Sequence, residues 1–144
     1  MPISYHTEEV KLPSKFPKRK LSKWIKEIAE NHRKEIDSIV YVFCTDEKIL
    51  EINRQYLNHN FYTDIITFDY TKSHVINGEM YISLETVRSN SKIYQTKFSE
   101  ELYRVMIHGV LHLCGLNDNS VRLQKKMSKE EDMALKVLRT YIDC

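Results

Sequence analysis

The stretch from Val105 to Leu116, VMIHGVLHLCGL, most restricts how this chain can fold. It is nearly all apolar and so belongs in an interior, yet it is only about half as long as a bilayer crossing requires. It reads as a core helix, and two histidines sit inside it. His108 and His112 are four residues apart, which separates them by only about 40° around a helix of 3.6 residues per turn. Their rings therefore leave one face, one turn apart. Burying them without partners would cost roughly 1–3 kcal/mol for each unsatisfied group. Gly115 is suited to end the helix in a left-handed cap, after which the chain can turn back and bring up Asp118. Two imidazoles and a carboxylate form the three-ligand, open-position donor set of a catalytic zinc site.

The residue after His108 argues against one chemistry. Zinc peptidases of the H-E-x-x-H type carry a glutamate there as general base, whereas this chain has Gly109. Glycine in a helix costs about 1 kcal/mol relative to alanine, and its expected use here is to leave room beside the ion. Cys114, two residues past His112, falls on nearly the opposite side of the helix and reads as a small buried hydrophobe.

The rest of the pattern predicts one α+β domain over 1–144, with helices packed on a small mixed sheet and the metal site at the end of a late helix. Ile3, Tyr5 and Thr7 alternate with polar neighbours, as in an edge strand. Leu21, Trp24, Ile25, Ile28, Ala29 and His32 recur at helical spacing and form one apolar stripe. Ile39 to Cys44 is apolar on both faces, the mark of a central strand. Thr45 reads as the N-cap of a helix running to about Leu57, with Ile49, Ile52 and Tyr56 turned inward. Strands are expected at Thr63 to Tyr70 and at Glu79 to Leu84, the second entered through an Asn77-Gly78 turn. Helices are expected at about 85–95, 99–114 and 121–142.

Charge is unevenly spread. The chain carries +2 overall, but residues 11–34 hold nine Lys or Arg against Glu27 and Glu30, so that segment is +7 and the remainder −5. A local basic face of this kind can contact phosphate, and Lys18, Arg19, Lys23 and Lys26 are its candidate residues. Three widely spaced cysteines imply no disulfide framework. With no leader pattern and no membrane-length apolar run, the expected location is the cytoplasm.

Residues 108–118, HGVLHLCGLND, resemble the hallmark H-G-x-L-H-L-x-G-Y-D-H of the YbeY family of metal-dependent endoribonucleases, the bacterial rRNA maturation factors. A second family block corresponds to Ile52 to Phe68, with Asn53, Tyr56, Thr63, Asp64 and Phe68 in place, and a third to Gly78 through Ser83. The resemblance implies one zinc ion held by His108, His112 and Asp118, cleavage of single-stranded RNA by metal-activated water, and a role in rRNA processing. The implied partners are an rRNA precursor and the ribosome or its small-subunit proteins, with no membrane and no small-molecule cofactor. Asp64 and Glu79 become candidates for orienting an imidazole or steering the water. Two positions depart from the family. Asp118 stands where the family's third zinc ligand is His, and Leu57 where it has Arg, for which Arg54 is the candidate replacement. Two other readings fit the same residues: a ribosome-assembly factor with a structural zinc, and a metzincin-like hydrolase of another substrate.

Overall fold

A computed structural model of the protein describes residues 2–56 and 63–142. Within them the chain runs β1 (Ile3–Thr7), α1 (Lys18–Asn31), β2 (Glu35–Cys44), α2 (Asp46–Tyr56), β3 (Ile65–Asp69), β4 (Val75–Ser83), α3 (Leu84–Ile93), α4 (Phe98–Leu113) and α5 (Val121–Leu138). The strands form one mixed sheet in the order β1-β2-β4-β3. β1 and β4 run parallel to β2, and β3 lies antiparallel along the outer edge of β4. This is the expected α+β class.

β2 is central because both its faces are apolar. Ile39, Tyr41 and Phe43 enter the larger core with α1 and α4, while Cys44 joins Ile49, Ile52 and Ile66 in a smaller core beneath α2. The strand starts at Glu35, ahead of the β-branched run, because Glu35 and Ile36 pair with Val75 and Ile76. In α1 the whole predicted stripe from Leu21 to Ala29 is buried, and the Trp24 indole donates to the Ala134 carbonyl at 2.7 Å. His32 caps the end of that helix and meets Glu130 at 3.4 Å.

Tyr56, Asn77-Gly78 and Gly109 depart from expectation. Tyr56 is 64% exposed. By its last turn α2 has reached the edge strand β3, where Tyr56 meets the Phe68 ring edge-on, and Asn53 takes the buried place. Asn77-Gly78 is not a turn but the middle of β4, paired with β2 on one side and, at Gly78, with Asp69 of β3 on the other. The reversal lies at Lys72 to Val75, with Ser73 in a left-handed conformation. Gly78 is glycine because a Cβ there would lie 2.9 Å from both methyls of Leu113 and 3.0 Å from the Phe68 carbonyl.

The same crowding explains Gly109, and the room it leaves is not beside an ion. A Cβ would sit 2.2 Å from Met80 Sδ and 3.0 Å from Ile65 Cδ1, so the bare backbone lets α4 lie close on β4 and β3. Fully burying one large apolar side chain contributes roughly 1.5–3 kcal/mol. α4 buries several of them, Leu102, Met106, Ile107, Val110 and Leu111 included, which outweighs the ~1 kcal/mol that a helical glycine costs.

Candidate metal centre

The C-terminal turn of α4 builds the site. Gly115 adopts φ +102°, its N–H bonds to the His112 carbonyl at 3.0 Å, and the Leu116 N–H reaches back to the Leu111 carbonyl at 3.1 Å. This is the glycine-ended helix stop expected from the sequence, with its paired bonds from C′ and C″. It also turns the Leu116 carbonyl toward His112 Nδ1, 2.9 Å away. A carbonyl can only accept, so Nδ1 carries the proton and the Nε2 lone pair points outward.

His108 is oriented by a residue from another element. Its Nδ1 lies 2.5 Å from Oε2 of Glu131, which is 7% exposed, while Oε1 of the same carboxylate accepts from Arg104 at 3.0 Å. Arg104 also pairs with Asp132 at 2.6 Å. A carboxylate behind a ligand histidine sets the tautomer and strengthens the ring as a donor. The sequence reading did not name Glu131, though a signal was present. Met127, Glu131, Ala134, Leu135 and Leu138 are the buried residues of α5, so Glu131 is an acid on an otherwise apolar stripe.

Three donor atoms converge. His108 Nε2 and His112 Nε2 are 3.0 Å apart, and Asp118 Oδ2 is 3.5 Å from the first and 3.6 Å from the second. An ion bound at about 2.0–2.1 Å by tetrahedral ligands needs edges of about 3.3–3.4 Å, so this triangle fits one with little adjustment. With both Nδ1 atoms engaged, the two neutral rings would aim lone pairs at each other, an arrangement that a shared proton or a metal ion relieves. Charge points the same way, because Asp64, Glu101, Asp118 and Glu131 surround the cluster and, among the described residues, Arg104 is the one arginine or lysine lining its clefts.

Burial by itself presses the His108 imidazole toward neutrality. Glu131, and after it Asp118 and Asp64, outweigh that and raise its pKa above the ordinary value. Burial also raises the Asp64 carboxyl, against the pull of His108 and of the backbone N–H groups of Asp64 and Ile65. Glu101 is raised for the same reason, with Arg104 opposing.

The site lies where two clefts meet. One, of about 540 Å³, opens toward α3 and α5; the other, of about 580 Å³, opens toward β3. They share Asp64, His108 and Asp118. This architecture has known counterparts. A family model described as Endoribonuclease YbeY matches residues 3–139. The chain belongs to the YbeY family. A relative from Parabacteroides distasonis named Endoribonuclease YbeY is 50% identical over 138 residues, covering 96% of each chain. Relatives of the same name from Bacteroides fragilis strain ATCC 25285 (50% identical, 94% of this chain and 96% of the relative) and Porphyromonas gingivalis strain W83 (44%, 97% and 92%) also match. The solution structure of a Thermotoga maritima protein aligns with a TM-score of 0.69 over 96% of this chain and 89% of that one. At 23% identity that likeness speaks to the fold.

Within this YbeY-family chain, the remaining candidate residues scatter. Asp64 lies at the metal centre, lining both clefts. Glu79 does not: it pairs with Phe68 and Val40 on the sheet face opposite Met80, toward α2, because neighbouring strand residues alternate between faces. Arg54 is exposed on α2, which packs on that same far face. Arg19, Lys23 and Lys26 line a separate cavity of about 810 Å³ with Lys34 and the edge strand, sharing no residue with either cleft. Lys18 is exposed in the first turn of α1. Leu57 lies outside the described residues. No helix among the described residues is long and apolar enough to cross a membrane.

Proposed function

We propose that this chain is a zinc-dependent endoribonuclease that cuts single-stranded RNA during rRNA maturation in the cytoplasm, and so serves ribosome biogenesis. The observation that carries the reading is the convergence of His108 Nε2, His112 Nε2 and Asp118 Oδ2 with both ring Nδ1 atoms already committed. Two nitrogens and a carboxylate oxygen at this spacing suit zinc. Zinc held there would supply a Lewis acid and acidify a bound water.

The chain's own groups do the rest. His108, His112 and Asp118 hold the ion, Glu131 and the Leu116 carbonyl keep the two rings aimed, and Asp64 steers the attacking water from the floor shared by both clefts. A carboxylate as third ligand would remove one unit of positive charge relative to an all-histidine site, so a zinc held there would acidify water less. Lys18, Arg19, Lys23 and Lys26 take RNA phosphates away from the cut, and Arg54 a further one, with an rRNA precursor and small-subunit ribosomal proteins as partners. Such contacts weaken as salt rises. The test is metal analysis together with cleavage of single-stranded RNA by the wild type and His108→Ala. One zinc per chain and activity lost in the variant support the reading. A folded variant that cuts at the parent rate overturns it. The structural-zinc alternative predicts instead that a chelator unfolds the domain.

A further inference from the structure

We propose that the cleft between α3 and α5 is a nucleobase subsite, in which Tyr94 stacks on a base of the RNA next to the bond being cut. The inference rests on the endoribonuclease reading and adds to it the group that is recognised.

Three observations carry it. The cleft includes His108, Asp118 and Asp64, so whatever fills it touches the reacting centre. Its volume of about 540 Å³ lies within the range of roughly 300–1,000 Å³ typical of small-molecule sites, enough for one nucleoside. Its outer wall carries Tyr94, a large aromatic residue that is 63% exposed. A largely exposed aromatic ring lining such a cleft can serve as a stacking platform, the usual means by which proteins hold unpaired bases.

The backbone holds that platform in place. Tyr94 is the C-cap of α3, and Gln95 follows at φ +55°, a left-handed conformation that favours glycine. The Gln95 N–H bonds to the Lys92 carbonyl at 3.3 Å and the Thr96 N–H to the Ser91 carbonyl at 2.9 Å, which locks the turn. A non-glycine residue in that conformation costs roughly 1–2 kcal/mol.

The lining chemistry selects a base over a phosphate. Apart from His108, Arg104 is the one cationic side chain among the described residues lining the cleft, and Glu131 and Asp132 already occupy it. With Asp64, Glu101 and Asp118 nearby, an added phosphate would be repelled. Asn90, Thr96, Gln124 and Ser128 instead offer neutral donors and acceptors. Gln124 Nε2 donates to the Asp118 carbonyl at 3.0 Å, which fixes the amide and leaves Oε1 to accept from a base amino group.

The experiment uses the zinc-loaded full chain and short single-stranded RNAs, intact or carrying one abasic riboside at successive positions around the cut. Stacking on one aromatic residue implies that Tyr94→Ala raises KM roughly 5- to 150-fold, with kcat and zinc content within about twofold of the parent. Tyr94→Phe restores KM. For the parent, one abasic position next to the cut raises KM by a similar factor, and the same substrate costs Tyr94→Ala nothing more. If wild type cuts RNA but Tyr94→Ala leaves KM unchanged, or loses equally on intact and abasic substrates, the subsite is refuted and the nuclease reading stands. If wild type holds zinc and cuts no RNA, both fall.

Discussion

Replacing Glu131 with alanine tests the centre through a residue that does not touch the ion. In the native chain both carboxylate oxygens are engaged, Oε2 with His108 at 2.5 Å and Oε1 with Arg104 at 3.0 Å, on a residue only 7% exposed. Loss of such a partner lowers metal affinity about 10- to 100-fold, or about 1.4–2.8 kcal/mol. The metal-free fold suffers less than the ~3–5 kcal/mol of a fully broken buried pair. Arg104 is partly solvated and keeps Asp132 at 2.6 Å, so about 1–2 kcal/mol is expected, a fall in Tm of about 3–8 °C. Competition against a chelator of known zinc affinity, with circular dichroism on the metal-free protein, measures the two effects separately. Glu131→Gln keeps an acceptor for His108 but loses the charge and should fall between. A folded Glu131→Ala that binds zinc within twofold of the parent would refute the claim that this carboxylate orients His108.

Three further outcomes follow from the packing and the charges. Gly109→Ala should lose about 1–3 kcal/mol in urea denaturation, because a Cβ 2.2 Å from Met80 Sδ forces that buried side chain or α4 itself to shift; adding Met80→Ala should recover part of the loss. Gly115→Ala meets no neighbour within 4 Å, so its cost is conformational, roughly 1–2 kcal/mol. Because the same turn presents the Leu116 carbonyl to His112, calorimetry should find zinc affinity falling with it. The Asp64 carboxyl titrates above its ordinary value because of burial. Its protonated form is therefore favoured by folding, and the stability it lends is present below about pH 4 and lost as pH rises through the raised value. In metal-free protein Asp64→Asn should thus melt higher than the parent at neutral pH and no higher below pH ~4; the opposite trend would contradict the burial argument.

The grouping of His108, His112 and Asp118 into a candidate metal centre was readable in outline because the three residues are local. Eleven residues, a helix turn and a left-handed glycine set the relation of His108, His112 and Asp118, and helical geometry suffices to bring them together. The central strand and the α1 stripe were readable for a similar reason, since burial on both faces or on one face is written into residue type and period. Asn77-Gly78 misled because a dipeptide preference carries no knowledge of Leu113, which needs the missing Cβ. Gly109 misled likewise, as its crowding comes from Met80 and Ile65 across the helix–sheet interface.

Periodicity alone leaves open which side of a strand faces which helix, so Glu79 and Asp64 looked equivalent until the sheet was assembled. Assembly sent one toward α2 and the other to the histidines. Glu131 reaches His108 across 23 residues of chain, and only the docking of α5 on α4 makes that contact. The basic residues of α1 form a real face, but the crossover that seats α1 on β2 leaves Arg19, Lys23 and Lys26 lining a different cavity from the clefts beside the histidines. Residue order over a few turns thus determines which atoms can grip an ion. What stands behind those atoms, and which surfaces open onto them, comes from packing between distant segments, where the energy lies in contacts that no local pattern contains.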